Sequence, residues 1–289
     1  MNPEIIYTNF RDEALAEMFS SDQYSTFVAM PFRDRFSYHP NYILEHVIQR
    51  AADEANNHKG EQLKDFQPPQ TVLGEPPTAN VITEDIVKSI LFSHFFLADL
   101  TGGNAGVLLE TGIAMAFKPS SKIILITQEP LDLLHFDIRN NRVISYNPDG
   151  QIEDIRDAFL AAAQSFENDR GRYVTQVSES LSRDAILTLH NYGSWYQTED
   201  VVPKQPGLFY PQNMPQFFID SYKDQAINMF QLTLLELYRK RMLWTDYSWK
   251  TDEEGNKYHG WAVHATKLGW LLIKHLWPEF TDMYCQRIK

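Results

Sequence analysis

The chain has 289 residues, 43% of them hydrophobic, and a formal net charge of −12, which is length enough for two domains and apolar content enough for ordinary cores. The charge is uneven: residues 1–170 hold 13 Lys and Arg against 25 Asp and Glu, whereas residues 171–289 hold 13 against 13. Broad electrostatic attraction to a phosphate backbone is therefore excluded for the first part and has no overall positive charge behind it in the second.

No run approaches the roughly 18–20 apolar residues of a membrane span, and the opening MNPEIIYTNFRDEALAEM lacks the basic-then-apolar layout of a secretory signal. The only cysteine, Cys285, supports neither a disulfide framework nor a cysteine metal site within one chain. The nine histidines have no H-E-x-x-H spacing. The expectation is a soluble, cytoplasmic protein with no membrane contact, no metal site and no bound cofactor.

In chain order, residues 25–30 (STFVAM) are short, apolar and followed by Pro31, which predicts a buried strand ending in a loop. Residues 41–56 carry Ile43, Val47, Ile48, Ala51, Ala52 and Ala55 at helical spacing. Four prolines between residues 59 and 80 predict an irregular crossover, with a short strand at residues 71–73. Thr83 is a candidate N-cap for a helix over residues 84–93. A strand at 95–98, a helix at 105–117, strands at 122–127 (KIILIT) and 143–146 (VISY), and a helix at 152–166 follow. Continuous apolar strands alternating with helices predict an α/β, doubly wound (flavodoxin-like) parallel sheet covered on both faces.

Ligands of such sheets sit outside the carboxyl ends of the strands. The segments emerging there are residues 30–35, 99–104, 128–131 and 135–141. Thr101, Gly102, Gly103 and Asn104 form a turn leading to a helix N-terminus, an arrangement suited to an anion such as phosphate and equally to simple capping. Glu110 is the one charged residue in the run 100–117, LTGGNAGVLLETGIAMAF. A carboxylate so placed is either paired or working.

The ordered set FVAMPF, S-x-F-F-L-A-D-L-T-G-x-N-A-G-V-L-L-E-T-G-I-A-M-A, KIILIT and F-D-I-R-N-N-R-V-I-S-Y resembles the nucleoside 2-deoxyribosyltransferase-like group, related in fold to bacterial Toll/interleukin-1-receptor-like (TIR) domains. The resemblance covers residues 25–166 and implies that Glu110 is the nucleophile attacking the anomeric carbon of a nucleoside or nucleotide. It also implies a pocket wall from Met30, Pro31 and Phe32, substrate contacts from Asp99, Thr101 and Asn104, and a ligand role for Asp137 and Arg139, whose plainer role is to pair with one another. The chemistry is coherent, because a carboxylate can stabilise or capture the oxocarbenium-like state of N-glycosidic cleavage. Where the transferases carry an aspartate six residues before the nucleophile, this chain has Asn104, and an amide cannot shuttle a proton. That shifts the expected reaction from base exchange towards hydrolysis of a substrate with a better leaving group, NAD foremost, since nicotinamide departs as a neutral amide.

The second part, residues 171–289, follows an expected linker at 167–172. It predicts a helix at 181–190, a Pro-rich excursion at 201–215, two helical stretches in 216–238, a basic turn at 239–243, a hairpin from 243–247 and 258–263, and a helix beginning near Thr266. This order resembles a winged-helix-like, mainly helical domain. Arg239, Lys240 and Arg241 with nearby tryptophans could meet nucleic acid, but Asp252, Glu253 and Glu254 at the hairpin tip oppose it. Docking of a regulatory protein or ribonucleoprotein, or self-association into a homo-oligomer, is the stronger expectation. The two-part arrangement resembles toxic effectors of bacterial retron and related antiphage systems. Two alternatives stand beside an N-glycosidase acting on NAD or a related nucleotide: a nucleotide-salvage deoxyribosyltransferase, and a non-catalytic nucleotide-sensing module.

Overall fold

A computed structural model of the chain describes residues 14–15, 17–19, 21–32, 38–71, 79–134, 142–198, 208–209, 214–251 and 257–277. The chain divides into two compact units, Met1–Arg170 and Gly171–Lys289. Among the described residues, no helix is long and apolar enough to cross a membrane.

The first unit is α/β. Strands β1 (Gln23–Tyr24) and β2 (Thr26–Ala29) are nearly continuous, β3 is Asp65–Phe66, β4 Phe95–Asp99, β5 Ile123–Thr127 and β6 Val143–Ser145. Every pairing among them is parallel: β1 with β3, β2 with β4, β4 with β5, and β5 with β6. A further parallel bridge joins Phe27 to Gln70, so β3 and Gln70 flank β1 and β2 on the side opposite β4. Counting β1 and β2 as one interrupted strand gives the spatial order 2-1-3-4-5 of doubly wound sheets. The order reverses between β2 and β4, which opens the crevice at their carboxyl ends.

Helix α1 is one rod made of Pro40–Ile43, a π-helical stretch Leu44–Gln49, and Arg50–His58. Pro40 begins it at the position where proline's missing N–H costs nothing. Helix α2 is Ala79–Phe92, α3 Ala105–Phe117 and α4 Glu153–Glu179. Strand alternation sorts the packing. Phe27, Ala29, Phe96, Ala98 and Leu125 face Ile90 of α2 and Val107 and Ala114 of α3, whereas Phe95 meets Phe166 of α4, ring centroids 6.3 Å apart. Both faces of β4 are thus buried, which is why its sequence is continuously apolar.

Several expectations are corrected. Helix α2 begins at Ala79, so Thr83 lies inside the helix and is not its N-cap. Helix α4 runs through residues 167–172, so no linker interrupts it. Its Lys122–Asp169 and Arg170–Glu167 pairs, at 3.0 and 2.9 Å, hold that stretch. The pairing expected at residues 71–73 falls on Gln70, and residues 72–73 lie outside the described set.

The second unit contains α5 (Arg183–Thr198), α6 (Gln216–Tyr222), α7 (Ala226–Arg239) and α8 (Lys267–Leu276), with a three-stranded antiparallel sheet. Its strand order is β7 (Leu208–Phe209), β9 (Lys257–Ala265), β8 (Leu243–Thr251). Phe218, Ala226 and Phe230 form one core cluster. Thr266 caps α8 by accepting from the Gly269 amide at 3.0 Å, and its hydroxyl donates to the Arg241 carbonyl at 2.5 Å. This locks the start of α8 to the turn before β8. Arg241 takes the left-handed conformation there, φ 58.

A Cβ at Gly269 would lie 2.1 Å from the Met242 carbonyl oxygen, so the turn and α8 approach closely only because that side chain is absent. Gly269→Ala is expected to lower unfolding free energy by about 1–3 kcal/mol. Gly171→Ala, in helix α4 with no atom within 4 Å of the added carbon, is expected to raise it by about 0.5–1 kcal/mol. Thermal and denaturant melts of the two variants measure both signs.

Candidate functional site

The carboxyl ends of β2 and β4 carry most of the residues singled out in the sequence. Met30 is fully buried directly after β2, Pro31 is buried beside it, and Phe32 is half exposed. Asp137 and Arg139 lie outside the described residues. Asp99 ends β4, Thr101 to Gly103 form a single 3-10 turn, and Asn104 begins α3. Gly102 and Gly103 have φ of 75 and 57, a conformation that glycine reaches without the steric penalty of a Cβ. Open space surrounds both, so backbone geometry and not crowding calls for glycine.

Asp99 is completely buried and fully engaged. Its Oδ2 accepts from the Tyr38 hydroxyl at 2.9 Å and the Tyr146 hydroxyl at 2.5 Å. Its Oδ1 accepts from the Thr101 hydroxyl at 2.6 Å and the Thr101 amide at 3.1 Å. Burial pushes its pKa up while these four donors pull it back, with burial prevailing. Burial, reinforced by the Asp99 charge, pushes both tyrosine hydroxyls well above their ordinary value, so they remain donors. Gln128 extends the network by donating from Nε2 to the Tyr146 oxygen at 2.9 Å and from its amide to Thr101 Oγ1 at 3.0 Å. Tyr38, Gln128 and Tyr146 were not singled out in the sequence. The only signal was a tyrosine at the end of the fourth strand, and nothing local tells which carboxylate it meets.

The turn's amides are also engaged. Asn104 Oδ1 accepts from the Gly106 and Val107 amides at 2.9 and 3.3 Å, the Gly103 amide donates to the Leu100 carbonyl, and the Gly102 amide donates to Glu129 Oε1 at 3.2 Å. The helix start is capped from within, and Glu129 sets a negative charge beside it. Both features oppose a phosphate cradle at this turn. Asn104 keeps its side-chain NH2 as a donor.

Glu110 behaves differently. It lies on α3 with Val107, Thr111 and Ala114, all on the buried stripe, and only 9% of it is exposed. Among the described residues it makes no hydrogen bond or ion pair. Burial alone raises its pKa from 4.5 to about 7, with no neighbouring charge contributing. Asp99 and Glu110 therefore do not perturb one another. One carboxyl is saturated with donors, and the other is buried without them.

No family model matches the chain, and neither curated proteins nor solved structures give a significant match to it.

Because folding raises the Glu110 pKa, the protonated form is the one the fold favours. The stability it contributes is complete below about 4.5, its unfolded value, and is lost as pH rises through about 7. Glu110→Gln is expected to raise unfolding free energy near pH 8 by about 1–3 kcal/mol and to leave it unchanged at or below about pH 4.5. Denaturant melts of both proteins at the two pH values give the difference. A loss of stability near pH 8 would mean that Glu110 has an ionic partner.

Proposed function

We propose that the protein is an N-glycosidase that hydrolyses the bond between ribose and nicotinamide in NAD or a related nucleotide, with Glu110 as nucleophile or as stabiliser of the oxocarbenium-like state. The observation that carries this reading is Glu110 itself, buried on the helix that follows β4 and without a hydrogen bond or ion pair among the described residues. A largely buried carboxyl has little solvent shell to shed before it meets a cation. A pyridinium ring brings that cation. Its charge favours the ionised carboxyl on binding, and as the C–N bond breaks the positive charge passes to the ribose, where the carboxylate meets it.

The electrons balance simply. The C–N pair returns to the nicotinamide ring, which leaves neutral and needs no proton. The anomeric carbon is taken by Glu110 or directly by water, and water's oxygen ends on the ribose as a hydroxyl while its other proton is released to solvent, which carries away the positive charge of the pyridinium. Without a general acid, leaving groups that need protonation are handled poorly. Asn104 offers only its NH2, and every contact that holds Asp99 is internal. We therefore assign Asp99 and Thr101 to positioning the turn. Phe32, exposed at the end of β2, suits a flat ring.

In the second unit, the sequence of helices, antiparallel hairpin and closing helix is read as winged-helix-like, and its role as docking of a regulatory protein or ribonucleoprotein. The apolar side chains Ile227, Leu232, Leu235 and Tyr238 exposed on α7 favour protein contact over a grip on DNA. With the resemblance described above, this supports a latent effector of antiphage defence that acts when a partner releases it, and a homo-oligomeric assembly.

Chromatography of NAD, NADP and deoxynucleosides incubated with the protein tests the reading. Release of nicotinamide is expected, reduced roughly a thousandfold or more in Glu110→Gln. kcat/KM is expected to rise with pH and level off above about 7, as the buried carboxyl ionises. Base exchange between deoxynucleosides would select a transferase, and nucleotide binding without turnover a sensor.

A further inference from the structure

At the opposite end of the sheet, among the amino ends of the strands, a cavity of about 100 Å³ is walled by Met18, Phe117 and Phe166 and also reached by His94, Lys118, Lys122 and Asp169. Two lysines share a largely apolar hollow, and they are held differently. Lys122 Nζ pairs with Asp169 Oδ2 at 3.0 Å and donates to Ser165 Oγ at 2.9 Å. Lys118 has no counter-ion among the described residues, and the Ser93 carbonyl oxygen is its one hydrogen-bond partner there. His94 stays neutral: its Nδ1 accepts from the Ser25 amide at 3.0 Å, its Nε2 faces the Met18 carbonyl at 2.9 Å, and burial lowers its pKa to about 4.

We propose that this cavity is a covalent capture site for short-chain aldehydes, with Lys118 as the amine nucleophile. Three features select this chemistry. Lys118 lines the cavity and retains 9% of its surface. The Lys122–Asp169 pair largely offsets its own charge and the reactive form of Lys118 is neutral, so an uncharged, apolar ligand suits the hollow better than an anion that would lose its water there. The volume corresponds to roughly three waters, which suits a chain of a few carbons better than an aromatic ring. Burial, with the Lys122 charge nearby, lowers the Lys118 pKa to about 7, so about half its molecules carry a free lone pair at neutral pH, whereas an ordinary lysine at about 10.4 has less than about 0.1%.

In the reaction the Lys118 nitrogen pair attacks the carbonyl carbon and a C–N bond forms. The carbonyl oxygen takes a proton to give the carbinolamine. Loss of that oxygen as water, carrying both amine hydrogens, leaves a C=N bond. No oxidant or reductant is needed.

Reductive trapping decides it. The full chain is incubated near pH 7 with limiting butanal and cyanoborohydride, and peptide mass spectrometry ranks modification over all 13 lysines. Lys118 is expected to be modified at least about tenfold more than the mean of the others, and glyoxylate, an anionic aldehyde, to label it less. Ala14→Leu, which fills the cavity wall without touching either lysine, is expected to cut Lys118 labelling about tenfold. Lys118→Arg removes the adduct. Labelling spread over the lysines according to exposure, or Lys118 labelling unchanged by Ala14→Leu, would overturn the proposal.

Discussion

Asp99 brings a carboxyl group to the centre of the sheet's carboxyl edge, where it is completely buried. Such a group is tolerated only where hydrogen bonds replace its lost water. Its four donors come from the segment before α1, from the turn after β4 and from the end of β6, and Gln128 after β5 ties into the same network. One side chain thereby joins the approaches to the crevice. The loops of this edge hold their relative positions because displacing any of them would leave a buried oxygen or hydroxyl unsatisfied.

Glu110 has meaning against that background. Among the described residues the first unit buries two carboxyls, and Asp99 has partners there while Glu110 has none. A fold selected for stability alone would pair Glu110 or replace it, since its ionisation is opposed by burial with nothing in return. The catalytic role proposed for Glu110 rests on this contrast, since the interaction it lacks among the described residues would be one for a ligand to supply.

The lysines at the other end repeat the contrast with opposite charge. Lys122 pairs with Asp169, and among the described residues Lys118 meets only the Ser93 carbonyl. Both lysines arise from the short connection between α3 and β5, so the helix that carries Glu110 near one end of the sheet ends in Lys118 at the other. The second unit meets a different constraint, that of close backbone approach. Gly269 lets the start of α8 pass the Met242 carbonyl, and Thr266 fastens the two segments with hydrogen bonds.

Periodicity and punctuation in the sequence determined the parallel α/β character of the first unit, the span of α3 and the hairpin of the second. Those depend on which residues are apolar at local spacing, and on Asn104 and Thr266 as caps. Local signals failed where tertiary packing overrode them: α2 starts before its best capping residue, and α4 continues through a polar stretch where Lys122 pairs with its Asp169 and Arg170 pairs with Glu167 one turn earlier in the same helix. For the site, Glu110 stood out in the sequence because charge in an apolar run is visible without a structure. That Asp99 is saturated, that Tyr38 and Tyr146 help to saturate it, and that Lys118 has no counter-ion among the described residues were decided only in three dimensions. Burial and partnership are properties of residues distant in the chain, and no local pattern encodes which of them will meet.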